Sequence, residues 1–158
     1  MRGWRSMQWV DGGYSLNADG IPDVVTVSSV GDLLLYPRTS TGRLLAPVRM
    51  ATGWGPMISV VSAGDLTGDR RNDVAAVDAA GRLWLYPGDG RGGLTTRRQM
   101  GSGWQTMGAL LPLRDLSGDG RADLGGITAS GELRLYAGTG TGGLRTGVVI
   151  GTGWQVFL

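Results

Sequence analysis

The chain repeats itself every 50 residues, and that period narrows the possible folds more than any other feature. Gly3-Trp4, Gly53-Trp54, Gly103-Trp104 and Gly153-Trp154 mark it. So do Asp19, Asp69 and Asp119, then Asp23, Asp73 and Asp123, then Tyr36, Tyr86 and Tyr136. Three periods leave eight residues over, and those last eight, GTGWQVFL, repeat the character of the first eight, MRGWRSMQ. A unit this small cannot bury an apolar face alone, whereas stacked copies bury a shared one.

Each period reads as four short strands. In the middle repeat they are expected over 57–63, 74–78, 82–86 and 95–100, with an Asp-rich loop at 65–73 and a Gly-rich turn, PGDGRGG, before the last. The third strand alternates: Leu83 and Leu85 face one way, Arg82, Trp84 and Tyr86 the other. β-Branched residues and Gly punctuation support strands throughout. Four strands in such a period point to a blade of a β-propeller. The expected fold is all-β, a single repeat domain over 1–158 with antiparallel blades at about 7–53, 57–103 and 107–153. Leu33/Leu35, Leu83/Leu85 and Leu133/Leu135 should fill the space between blades. The position between each pair is Leu34, Trp84 or Arg134, which predicts partial burial there.

Composition excludes much chemistry. The chain has no His, Cys or Lys, 30 Gly, and Glu132 as its one Glu. Ser-His-Asp and Cys-His catalysis, disulfides and ordinary zinc sites are therefore ruled out. A Walker-type phosphate loop and Schiff-base chemistry need a Lys. Long helices are disfavoured by so much Gly. A net charge of +2 is too small and scattered for nucleic acid, and no stretch is long and apolar enough to enter a membrane. Met1-Arg2-Gly3-Trp4 leads into no apolar run, so no signal peptide is expected in this chain.

The Asp-rich loops read SLNADGIPD (15–23), DLTGDRRND (65–73) and DLSGDGRAD (115–123). Oxygen-bearing side chains sit at loop positions 1, 3, 5 and 9, a spacing that suits a calcium loop. Clustered carboxylates repel one another, and no Lys is present to neutralise them, so a cation is one explanation. The other is that these Asp residues cap turns through backbone hydrogen bonds.

This pattern, followed by an apolar strand and then G-x-L-x-L-Y, resembles the FG-GAP/VCBS-type repeat of integrin alpha-subunit heads and many secreted bacterial proteins. The GTGW punctuation is most similar to actinobacterial members. The resemblance implies propeller blades, an extracellular setting and one calcium ion per loop. Carried over by position, the third site would use Asp115, Ser117, Asp119, the Arg121 carbonyl and Asp123. The second would use Asp65, Thr67, Asp69, the Arg71 carbonyl and Asp73. The first would use Asn17, Asp19, the Ile21 carbonyl and Asp23. Ser15 stands where the pattern has its first Asp, and Arg70 where it has Gly, a position expected to need φ > 0. Calcium should therefore favour the third loop, then the second, then the first.

Two other signals resolve to structure. Gly88-x-Gly90-x-x-Gly93 and Gly138-x-Gly140-x-x-Gly143 match a dinucleotide fingerprint but join two strands, with no helix behind them. Paired carboxylates that recur three times are not a glycosidase site, since an enzyme keeps one. The Gly-Trp junctions stay open. Trp54, Trp104 and Trp154, with Gln105 beside Trp104, either plug the grooves between blades or stack a sugar there. The expected function is a non-enzymatic, calcium-stabilised binding module. Its ligands would be glycans, as the lectins among proteins with these repeats imply. The alternatives are a protein-interaction or adhesion module and a self-assembling propeller fragment. Three blades leave two open faces, so the chain is expected to assemble with itself. A homodimer of six blades is favoured over a fragment of a longer chain or a larger assembly.

Overall fold

The computed structural model describes residues 7–158, so the Gly3-Trp4 pair lies outside the described residues. Each 50-residue period forms one four-stranded antiparallel sheet with its strands in chain order. The first blade holds β1 (Met7–Gly12), β2 (Val24–Ser28), β3 (Leu33–Tyr36) and β4 (Val48–Ala51). The second holds β5 (Met57–Gly64), β6 (Asp73–Asp78), β7 (Leu83–Tyr86) and β8 (Arg98–Gly101). In the third are β9 (Met107–Arg114), β10 (Asp123–Thr128), β11 (Leu133–Tyr136) and β12 (Val148–Gly151). The register repeats with the period: Val24 faces Tyr36, Val74 faces Tyr86, and Leu124 faces Tyr136. Helix is confined, among the described residues, to 3-10 turns at Trp104–Thr106 and Trp154–Phe157.

The fourth strand begins later than expected. Residues 95–97 stay out of the ladder because Thr95 donates its N–H back to the Pro87 carbonyl (2.8 Å) and Leu94 bridges Gly88. The Gly-rich fingerprint is thus the tip of a hairpin between β7 and β8.

Alternation sorts the side chains into two inter-blade cores. Val25, Val27, Leu33 and Leu35 of the first blade meet Val60, Val74, Ala76 and Tyr86 of the second. Val61, Ala63, Ala75, Val77, Leu83 and Leu85 of the second meet Leu110 and Leu124 of the third. Strand β7 is therefore shared: its leucines serve the core ahead and Tyr86 the core behind. Leu34, Trp84 and Arg134 are half-buried, as the mixed column implies. Trp84 is held in place. Its Nε1 donates to Asp78 Oδ2 (2.9 Å), Arg82 Nε donates to the same oxygen (2.8 Å), and the Arg97 guanidinium lies 4.1 Å from its ring centre. Burial opposes ionisation of Asp78, but the donors on it win together and bring its carboxyl down to about 2.

Candidate functional site: clefts beside the Asp-rich loops

Each loop is organised by its last Asp. Asp73 is buried and accepts N–H bonds from Leu66 (3.0 Å), Thr67 (3.0 Å) and Gly88 (3.1 Å). Asp123 does the same with Ser117 (2.7 Å) and Gly138 (3.0 Å), and Asp23 with Leu16 (3.0 Å) and Arg38 (3.3 Å). This carboxylate ties its loop to the β3–β4-type hairpin of the same blade. Burial pushes the Asp73 carboxyl up to about 6, against the pull of its donors. The first Asp closes the turn: Asp65 accepts from the amides of Gly68 (2.6 Å), Asp69 (3.1 Å) and Arg70 (2.8 Å), and Asp115 from Asp119 and Gly120 (both 2.9 Å). Loop position 6 is left-handed in all three, with φ of 79° at Gly20, 68° at Arg70 and 83° at Gly120.

This arrangement does not fit a resident calcium ion. Among the described residues no three acidic side chains come together. Asp23, Asp73 and Asp123 spend their oxygens on backbone amides. Asp69 and Asp119 each have an arginine beside them, Arg71 at 3.9 Å and Arg121 at 3.4 Å. The hydroxyls of Thr67 and Ser117 are turned to Asp65 and Asp123 (both 3.3 Å). In the first loop the Ser15 hydroxyl sits 3.0 Å from Asn17 Oδ1 and 3.1 Å from Asp19 Oδ1, so a proton bridges oxygens that a metal would otherwise gather. The repulsion that pointed to a cation is relieved by amides and guanidiniums, and Arg does what the missing Lys could not.

The tryptophans of the three junctions sit in two different settings. Trp54 and Trp104 are only 3% and 6% exposed, so neither offers a face to a sugar. Each donates its backbone N–H to the preceding blade, to Gly31 O and Gly81 O (both 2.9 Å), and lays its ring on a tyrosine, Tyr86 at 4.4 Å and Tyr136 at 4.6 Å. They plug the groove because a large apolar ring is most stable out of water there. Gln105 is exposed, but its amide covers the α-carbon of Gly81 and belongs to the same junction. Trp154 keeps the backbone bond, to Gly131 O (3.0 Å), but the residue is 37% exposed.

Concave space lies elsewhere, between consecutive loops. A cleft of about 370 Å³ is lined by Tyr14, Asp65, Gly68, Arg114, Asp115 and Arg121. A smaller one of about 230 Å³ is lined by Ser15, Ala18, Arg70, Arg71, Asn72 and Gly90. One period carries Ser15 to Asp65, Ala18 to Gly68, and Arg71 to Arg121, so these are two copies of one site. The larger gains Tyr14 and Arg114 from a column in which the repeat breaks: Tyr14, Gly64, Arg114. The Tyr14 ring crosses to Gly64, where a Cβ would stand 2.9 Å from it, so only glycine leaves it room. The Arg114 guanidinium lies 5.6 Å from the ring centre. Tyr14 Oη is buried with no partner among the described residues, and burial pushes its pKa up.

Comparisons with known proteins bear on the blades and not on the clefts. No curated protein matches the sequence. Among solved structures, an Agrocybe aegerita lectin described by its specific recognition of non-reducing terminal N-acetylglucosamine superposes with a TM-score of 0.61 at 21% identity. The match covers 92% of this chain and 38% of that one, so this chain spans well under half of the lectin's length, and at this identity the likeness shows the fold. The family model of the FG-GAP-like repeat matches twice, at residues 16–76 and 65–125, each time starting in an Asp-rich loop and running past the next. With both matches inside the three sheets described above, the chain belongs to the FG-GAP-like repeat family and is built of its propeller blades.

Proposed function

We propose that the chain is a non-enzymatic carbohydrate-binding module that takes its ligand in the cleft between the second and third Asp-rich loops. The observation that carries this reading is the unpartnered, buried Tyr14 hydroxyl in a cleft that also holds Asp65, Asp115, Arg114 and Arg121. Two carboxylates and two guanidiniums balance there, so an ion of either sign would meet a like charge. A neutral polyhydroxyl ligand would instead find acceptors and donors together, with a hydroxyl for Tyr14. The volume lies within the usual range for small-ligand sites, about 300–1,000 Å³. The likeness to the lectin makes N-acetylglucosamine-terminated glycans the first probe.

Retention on immobilised N-acetylglucosamine, followed by a glycan array, tests it. Tyr14→Phe keeps the ring and removes only the hydroxyl. Because that hydroxyl has no partner in the free protein, melting should hold or rise slightly, while glycan affinity should fall about tenfold, the equivalent of one hydrogen bond. Folded wild-type protein that retains no sugar anywhere on the array would sink the reading and leave the protein-interaction alternative.

A further inference from the structure

The two internal junctions and the open edge of the third blade are made from the same residues, but only the internal ones are covered. Leu16 and Leu66, in the first two loops, are each 1% exposed, and Leu116 in the third is 54% exposed. The Leu16 carbonyl accepts the N–H of Gly92 from the following blade (3.1 Å), and the Leu66 carbonyl that of Gly142 (2.7 Å). On the opposite side of the chain, Val10 of the first blade is 57% exposed, while its counterparts Val60 and Leu110 are 4% and 5% exposed. The first blade also carries the matching donor, Gly42, whose N–H folds back on Thr39 (2.9 Å). One face therefore shows an uncovered Leu, and the other an uncovered Val beside a glycine N–H that is turned back on its own hairpin instead of reaching a neighbouring blade. They are the two halves of a junction the chain already builds twice.

We propose that these faces join in solution: a second copy of this chain docks head to tail, its first blade covering Leu116. Such a contact is heterologous and closes into a ring when the rotation fits. Two copies give six blades, inside the about 4–8 known for propellers, and three would give nine. The same docking completes a third inter-blade cleft. Asp115 and Gly118 correspond to Asp65 and Gly68, one wall of the larger internal cleft. Facing them, where that cleft has Arg121 and Gly140, would come Ile21 and Ser40 of the second copy. This inference does not rest on sugar binding, since mass is read without ligand.

Light scattering on the purified 158-residue protein should give twice the 16.5 kDa of one chain. Leu116→Asp and Val10→Asp alter exposed side chains, so each should stay folded by circular dichroism and run as a monomer. Mixed together, the two variants should recover the dimeric mass, because a mixed pair retains one junction with both faces intact. A wild-type monomer, a ladder of open oligomers, or a Val10→Asp variant that still dimerises would each overturn the proposal.

Discussion

The second and third blades are near copies set in different surroundings. The second lies between two neighbours, and every residue of β6 is buried, as are Leu83, Leu85 and Tyr86 of β7. In the third, β11 keeps only Leu133 buried, and the third loop exposes its leucine. One pattern of residues thus yields a core on one side and a surface on the other. Burial here is a property of the junction rather than of the repeat, in keeping with the nearest-neighbour energetics of stacked units.

The comparison can be broken most forcefully in the core. In the monomeric Leu116→Asp background, Leu85→Ala should lower stability by about 2–5 kcal/mol, because the site is filled from both sides. Leu135→Ala in the same background should lower it by less than half as much, since that side chain is only half-buried. Denaturant titration of the pair measures both, and equal losses would show that the edge is as well packed as the interior.

A smaller effect separates two polar clusters at matching places. Asp78 is buried under Trp84 and Arg82, whereas Glu132 pairs with Arg134 (2.6 Å) at a half-exposed site. Asp78→Asn should destabilise by about 1–3 kcal/mol and Glu132→Gln by under about 1 kcal/mol. The sign with pH follows from a folded pKa of about 2, below the ordinary carboxylate value of about 3.9. The stabilisation from Asp78 is complete above pH about 4 and is lost as pH falls toward about 2. Melting curves across that window should lose part of their acid slope in Asp78→Asn.

The smallest expected effect is that of calcium. Both complete loops are closed by amides and arginines, so melting in millimolar calcium and in chelator should coincide. A rise of several degrees with calcium would mean that Asp73 and Asp123 release their amides and the loops close around the ion.

Much of this was legible in the sequence because it is periodic. Strand positions, the leucine pairs and the half-buried column at 34, 84 and 134 follow from alternation repeated three times. The fourth strand was misplaced by about three residues because Thr95, Thr96 and Arg97 carry strand-like polar character, while the Pro87 carbonyl that captures Thr95 lies eight residues back. The loops were read as acidic clusters because side-chain types are visible in a sequence and backbone amides are not. Arg71 and Arg121 are visible in the sequence, but their approach to Asp69 and Asp119 depends on the fold of the loop. The larger cleft is not legible in the sequence, since it gathers Tyr14, Asp65 and Arg114 from three blades. Its one signal was an irregularity, a tyrosine and an arginine in a column that elsewhere holds glycine.

The buried aspartates also bear on the order in which the molecule is made. Every hydrogen bond of Asp73 reaches a partner within 15 residues along the chain, so the entropy of closing that loop is small and needs no neighbour. The bond from Gly92 to Leu16, by contrast, waits for a hairpin far downstream. A chain emerging from the ribosome always carries one blade that is complete but uncovered, in the same condition as the third blade of a single copy. With its loop already locked by its own aspartate, that blade can wait for the next in native shape, and the protein can grow by addition, each new hairpin landing on a surface that is already formed.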